Sequence, residues 1–202
     1  MSARSIFSLV AIALLATPLP AAKQRGLEEV WTQPDYERRS FGKIVVVGIT
    51  DDEEVRKRFE NKFVSHLRGR RIQASVSYGV APDLTAMPSR EQVMVFIDDE
   101  SIDAAISIRV VSLADRSEEQ WGAAWREAAR GRGTLRELIQ ESLPTPQTKA
   151  KSYGIEVSLW DADKRIRIWS ARTNPYTRKQ MRKGAGEFVQ LVIDALKRER
   201  LL

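Results

Sequence analysis

The run Lys43-Ile44-Val45-Val46-Val47-Gly48-Ile49 constrains the fold of this chain more than any other stretch. It has no polar face, so it reads as a strand buried on both sides, the place of a central strand in a parallel α/β sheet. Asp51 and Glu54 follow at capping-box spacing. Val55, Phe59, Phe63 and Leu67, widened by Val64, then form the stripe of a core-facing helix ending near Gly69. Arg71 to Tyr78 alternates and reads as a second strand. Gly79 to Pro88 reads as a loop. Ser89 can cap a helix carrying Val93, Phe96 and Ile97, and Ala104 to Leu113 reads as a third strand.

Tyr153 to Trp160 and Lys164 to Arg172 alternate as two further strands, joined through Asp161-Ala162-Asp163 as a tight hairpin. In the first of them Ile155, Val157 and Leu159 share one face, opposite Glu156, Ser158 and Trp160. Thr177 can cap a last helix, interrupted at Gly184 and Gly186, with the stripe Phe188, Leu191, Val192, Ala195 and Leu196. Right-handed crossovers make the first three strands parallel. The expected fold is a mixed α/β sheet of about five strands in the order 2-1-3-4-5, with helices on its faces.

Residues 114–152 interrupt that pattern as a helical insertion. Ser117 and Gln120 make a second capping box, and Trp121 and Trp125 lie four apart on one helical face. Leu135, Leu138 and Ile139 mark a shorter helix. Two readings stand. The helices pack on the sheet, or they protrude with Trp121, Trp125 and Leu138 as an anchor for a partner.

The amino terminus addresses the chain. Arg4 precedes the apolar run Ile6 to Ala16, and Thr17 to Ala22 ends it in small residues. That is the layout of a secretory signal peptide over residues 1–22, cleaved near Ala22, though Pro20 and Leu19 are unusual so close to the cut. The run is too short to span a bilayer. A buried N-terminal helix is the competing reading. Residues 23–42 form a polar extension whose Val30-Trp31 patch can add a short edge strand, and 43–202 form one domain carrying the insertion. Charged residues at 30% and hydrophobic ones at 43% give globular composition. The chain holds no cysteine, which excludes disulfides and thiolate chemistry and leaves no residue for a lipoprotein anchor. A periplasmic or secreted location follows as the expectation. The net charge of +6 permits attraction to anionic lipid or cell-wall polymer without arguing for nucleic acid.

The stretches Ile44 to Phe63 and Gly154 to Ala171 carry a resemblance. The first is similar to the opening strand and helix of small bacterial envelope proteins, lipoprotein-like and of unknown function. The second resembles their hairpin, in which a turn of Asp and Lys leads into a Trp-Ser-Ala end. Their fold is similar to the amino-terminal domain of the Tol-system propeller protein, the periplasmic domain of the curli secretion channel, and lipoprotein activators of cell-wall synthases. The resemblance implies a non-enzymatic envelope module that binds protein partners. This chain departs from the pattern in lacking the lipid-bearing cysteine and in residues 114–152.

Catalytic signatures are sparse. His66 is the one histidine, which cannot build a usual zinc site and has no nucleophile motif beside it. No nucleophile elbow or phosphate loop occurs. Asp51, Asp52, Glu53 and Glu54 follow the first strand, where α/β sheets bind ligands, and could hold a metal for a carboxylate-based enzyme; helix capping is the alternative. Asp98, Asp99 and Glu100 could approach them. Alternation places Arg165, Arg167 and Trp169 on one hairpin face, either a site for an anionic polymer or lipid or simply a solvated surface. The leading expectation is an exported protein-binding or assembly module without catalytic, cofactor or metal residues.

Overall fold

The computed structural model describes residues 26–50, 52–79, 102–114, 116–130 and 150–202. They form β1 (Leu27–Thr32), β2 (Lys43–Ile49), α1 (Glu53–Arg68), β3 (Gln73–Val76), β4 (Ala104–Ser112), α2 (Glu118–Arg130), β5 (Tyr153–Asp161), β6 (Ile166–Thr173) and α3 (Arg178–Arg198). Six strands make one mixed sheet in the order β1-β6-β5-β4-β2-β3. β2 pairs in parallel with β3 and β4, and the remaining pairs are antiparallel. The five strands expected from the sequence thus stand in the expected order. The Val30-Trp31 patch supplies a sixth, antiparallel to β6.

One face of the sheet is apolar. Ile44 and Val46 of β2, Ile106 and Ile108 of β4, and Ile155, Val157 and Leu159 of β5 meet the stripes of α1 and α3 there. Phe188 packs edge-on against Phe59 and Phe63, with ring centroids 5.4 and 6.2 Å away. Each such buried ring stabilises the fold by about 1.5–3 kcal/mol. Gly48 interrupts the β-branched run because α1 passes close above it. A Cβ there would lie 2.8 Å from Arg56 Cγ and 3.1 Å from Glu60 Oε1.

Local chemistry corrects several boundaries. The N-cap of α1 is Asp52, whose Oδ1 accepts from Val55 N at 3.1 Å, in place of the expected Asp51–Glu54 box; Asp51 lies outside the described residues. Arg71 takes a left-handed φ of 64°, turning the chain out of α1, so β3 begins only at Gln73. β3 ends at Val76, where a 3-10 turn over Ser77–Gly79 takes over. The hairpin turn is longer than expected: Asp161 belongs to β5, and Ala162 to Arg165 make the turn, with Arg165 at φ 56°. α3 is continuous through Gly184 and Gly186, and Thr177 and Gln180 close a capping box at its start. Ser117 and Gln120 form the expected reciprocal box before α2. The helix expected after Ser89, the carboxylates 98–100, the helix bearing Leu138 and the leader 1–22 lie outside the described residues.

Candidate functional site

The second face of the sheet is polar over β5 and β6, and α2 lies on it. Trp121 and Trp125 are 1% and 4% exposed, so the described part of the insertion packs down. Trp121 Nε1 donates to Glu156 Oε1 at 2.7 Å, while Arg109 Nε donates to the other oxygen at 2.9 Å. The Arg172 guanidinium stacks 4.8 Å from the Trp121 ring and pairs with Glu28 at 2.8 Å and Glu29 at 2.6 Å on β1. Arg126 of α2 reaches Glu29 at 2.7 Å. Burial pushes the Glu29 carboxyl up, but hydrogen bonds from Arg172 and Arg126 bring it below its ordinary value. Trp121 and Trp125 therefore act as core, not as a protruding anchor.

The expected basic hairpin face does not form either. A β-bulge shifts the register between Leu159 and Trp160: Leu159 faces Trp169, Trp160 faces Arg167, and Ile168 is the extra residue. Ile168 and Trp169 then both enter the apolar core, and Trp169 is fully buried. Arg167 remains on the opposite face under α2, stacked 4.8 Å over Trp160 and donating to Ala128 O at 2.8 Å. Only Arg165 of the three stays exposed, in the turn.

Carboxylates after β2 are likewise engaged in the fold. Asp52 caps α1, Glu53 pairs with Lys57 at 2.6 Å, and Glu54 pairs with Arg58 at 3.0 Å and Arg182 at 3.1 Å. Among the described residues no group of three His, Asp or Glu side chains is placed to hold a metal ion. His66 is half-buried on α1.

Two buried carboxylates have conspicuous surroundings: Glu60, and Asp161, which was expected only to form the hairpin turn. Glu60, fully buried, accepts from Gly48 N, Ser77 N and Ser77 Oγ, each at 2.8 Å, and from Arg56 Nε at 3.3 Å. Burial pushes its carboxyl above the ordinary range against those donors. Asp161, also fully buried, accepts from Tyr36 Oη at 2.6 Å, Lys164 N at 2.9 Å and both Arg39 Nε and Nη2. It fastens the extension to the end of β5. Burial and the Asp161 contact push the Tyr36 phenol up to about 12. Both carboxylates tie chain segments together. Asp161 was visible in the sequence as a turn residue, whereas Glu60 stands mid-helix next to Phe59, and only the fold brings it to Gly48 and Ser77.

One outward-facing feature among the described residues is a groove of about 450 Å3 along β3, lined by Lys43, Arg68, Arg71, Ile72, Gln73, Ala74 and Ser75. Its charged residues are all cations. Arg68 and Arg71 are exposed, and neither has a carboxylate partner among the described residues.

No protein-family model matches the chain, and no curated protein does. Two solved structures are similar in part, both PelC dodecamers from Paraburkholderia phytofirmans, one of them a point variant. The variant superposes with a TM-score of 0.41 at 13% identity, covering 81% of this chain and 96% of its own. The other gives 0.43 at 13% identity, covering 81% and 92%. Superpositions this loose at such identity assign no function. Among the described residues no helix is long and apolar enough to cross a membrane.

Proposed function

We propose that this chain is an exported module of the bacterial envelope that works by binding protein, without catalysis. One observation carries the reading. The buried and half-buried carboxylates Glu29, Glu60, Glu156 and Asp161 each hold one part of the fold to another, while the cations of the β3 groove face outward. A chemical site would hold acids or bases toward an open cleft. A binding module instead uses ionisable groups as fasteners and presents a surface. The apolar run Ile6 to Ala16, ending in small residues, supports export, and the resemblance of Ile44 to Phe63 and Gly154 to Ala171 to envelope proteins supports the compartment.

Crosslinking of the intact protein in its native envelope tests this, with mass spectrometry reading both the N-terminus and the linked partners. The expected result is a start near Lys23 and reproducible links from the β1 or β3 edge to envelope proteins. An intact Met1 with cytoplasmic partners would overturn the reading, as would no links at all.

A further inference from the structure

We propose that the outer edge of β3 receives an extended acidic peptide segment of a partner protein, which joins the sheet as a further strand with its carboxylates against Arg68 and Arg71. The proposal rests on the binding-module reading in taking the occupant to be protein. It adds the site, the binding mode and the chemistry of the occupant.

The backbone supplies the first argument. Among the described residues β3 has β2 as its one sheet neighbour. Gln73 N donates to Gly42 O at 3.0 Å, so Gln73 and Ser75 direct their backbone groups toward β2. In a parallel ladder the alternate residues then turn outward, here Ala74 and Val76. Strand edges of this kind are templates for another chain, and proteins commonly seal them with bulges, proline or a cover. The opposite edge shows such devices: β1 has a register shift between Leu27 and Glu29, and Pro34 follows it closely. Among the described residues β3 has neither, and its shortness and one covered carbonyl are what restrain it. That carbonyl, Ala74 O, accepts from Arg68 Nε at 3.0 Å.

Charge and shape supply the second. The groove that runs along this edge is lined by Lys43, Arg68 and Arg71 and by no carboxylate. A guanidinium carries five N–H donors in a planar fork that matches a carboxylate. Arg68 uses one of its five on Ala74 O. Ile72 and Ala74 give the groove an apolar part for the alternate side chains of an extended segment. Ser75, also in the lining, has a buried hydroxyl without a partner among the described residues. A concave channel beside a strand with outward backbone groups fits one extended chain better than a flat lipid surface. It also exploits backbone donors at strand spacing, which a polysaccharide lacks.

The test uses the full chain and a fluorescent peptide, acetyl-Glu-Val-Glu-Val-Asp-Val-Glu-amide, read by anisotropy. Four comparison probes accompany it: the same peptide N-methylated at alternate amides, a version with Lys for each acid, vesicles containing phosphatidylglycerol, and polygalacturonate. Arg71→Gly removes a cation at a φ that glycine adopts freely, so the fold is kept. The expected result is saturable binding of the acidic peptide, weakened about ten-fold by Arg71→Gly and lost on N-methylation or with the Lys version. Amide exchange at Ala74 and Val76 slows on binding. Equal binding of the N-methylated peptide, binding only of vesicles or polygalacturonate, or no binding of the acidic peptide would each overturn the proposal. Failure here with envelope crosslinks elsewhere on the chain refutes this site alone. An intact Met1 in the cytoplasm refutes the broader reading whatever the peptide does.

Discussion

Gly154→Ala is expected to loosen α2 from the sheet. A Cβ built on Gly154 lies 2.3, 2.5 and 2.6 Å from Cζ2, Cη2 and Cε2 of the Trp121 indole. Ordinary contacts begin near 3.4 Å, and the obstacle is a rigid ring, not the end of a flexible chain. The ring therefore has to retreat by about 1 Å. Trp121 is pinned, however: its Nε1 sits 2.7 Å from Glu156 Oε1, and Arg172 stacks on its face. A retreat of that size lengthens the hydrogen bond to about 3.7 Å, beyond useful reach. Overpacking costs about 1–3 kcal/mol, and the lost bond to a charged acceptor adds up to about 1.5–3 kcal/mol. We expect a net loss of about 3 kcal/mol, read by urea unfolding, and a fall in Tm of about 6–12 °C. Tryptophan fluorescence should shift red as the indole meets water. The same substitution in a Trp121→Leu background should cost less than about 0.5 kcal/mol, because the obstacle is gone. If Gly154→Ala alone stays within about 0.5 kcal/mol of the parent, the close fit of α2 on β5 is wrong.

Three further outcomes concern ionisable groups. Tyr36 has a folded-state pKa raised to about 12, so its contribution is full below the ordinary phenol value of about 10 and is lost as pH rises toward 12; Tyr36→Phe should flatten that alkaline loss in an unfolding series. For Asp161, burial alone would raise the carboxyl, but the Lys164 amide, Tyr36 and Arg39 lower it overall. Its contribution is therefore present above about pH 4 and lost as pH falls through the lowered folded-state value. The stability gap between the parent and Asp161→Asn should close in acid, and a gap constant from pH 7 to pH 2 would refute the network. Burial raises Glu60, so its contribution is full in acid and declines as pH rises above about 4. Glu60→Gln, which turns an amide N–H toward the Ser77 donors, should cost about 1–3 kcal/mol by chemical unfolding. That cost should shrink as pH rises from about 4 toward neutrality.

Where one physical signal dominated, the sequence was readable. The β-branched run of β2 had no reading but a buried strand, and α1 kept one apolar stripe from Val55 to Leu67 that the structure buries throughout. The strand order followed because crossover handedness and a hairpin leave few alternatives. Failures arose where a single residue changes the count. Period-two alternation assumes an unbroken pleat, and one extra residue at Ile168 moved Trp169 from the supposed basic face into the core. Ile168 and Trp169, two large apolar neighbours in an alternating strand, were the available hint. The tryptophans of α2 were ambiguous because helical spacing alone cannot say whether a stripe meets its own sheet or a partner. Gly154 opposite Trp121 resolves it, and only register reveals that pairing. The β3 groove was hidden for a similar reason. Arg68 and Arg71 were visible as a basic group, but Lys43 joins them only through the parallel pairing of Lys43 with Gln73.

The two edges of the sheet are built to behave differently, and Arg172 is the reason for one of them. Its guanidinium joins three elements: it sits on β6, pairs with Glu28 and Glu29 of β1, and stacks on Trp121 of α2. A Cβ on Gly122 would lie 2.8 Å from its Nη2, so α2 is pressed against it. A buried ion pair of this kind adds little stability over well-packed apolar residues, yet removing one partner is costly. Its effect is to fix where β1 and α2 sit. The β1 carboxylates Glu28 and Glu29 are thereby paired within the fold, to Arg172 and, for Glu29, to Arg126 as well. At the far edge the arrangement is reversed. Arg68 and Arg71 have no such internal carboxylate among the described residues, and β3 keeps its outward backbone beside them. A partner strand meeting the β3 edge therefore finds cations beside outward backbone groups, and an acidic strand is the kind that edge selects.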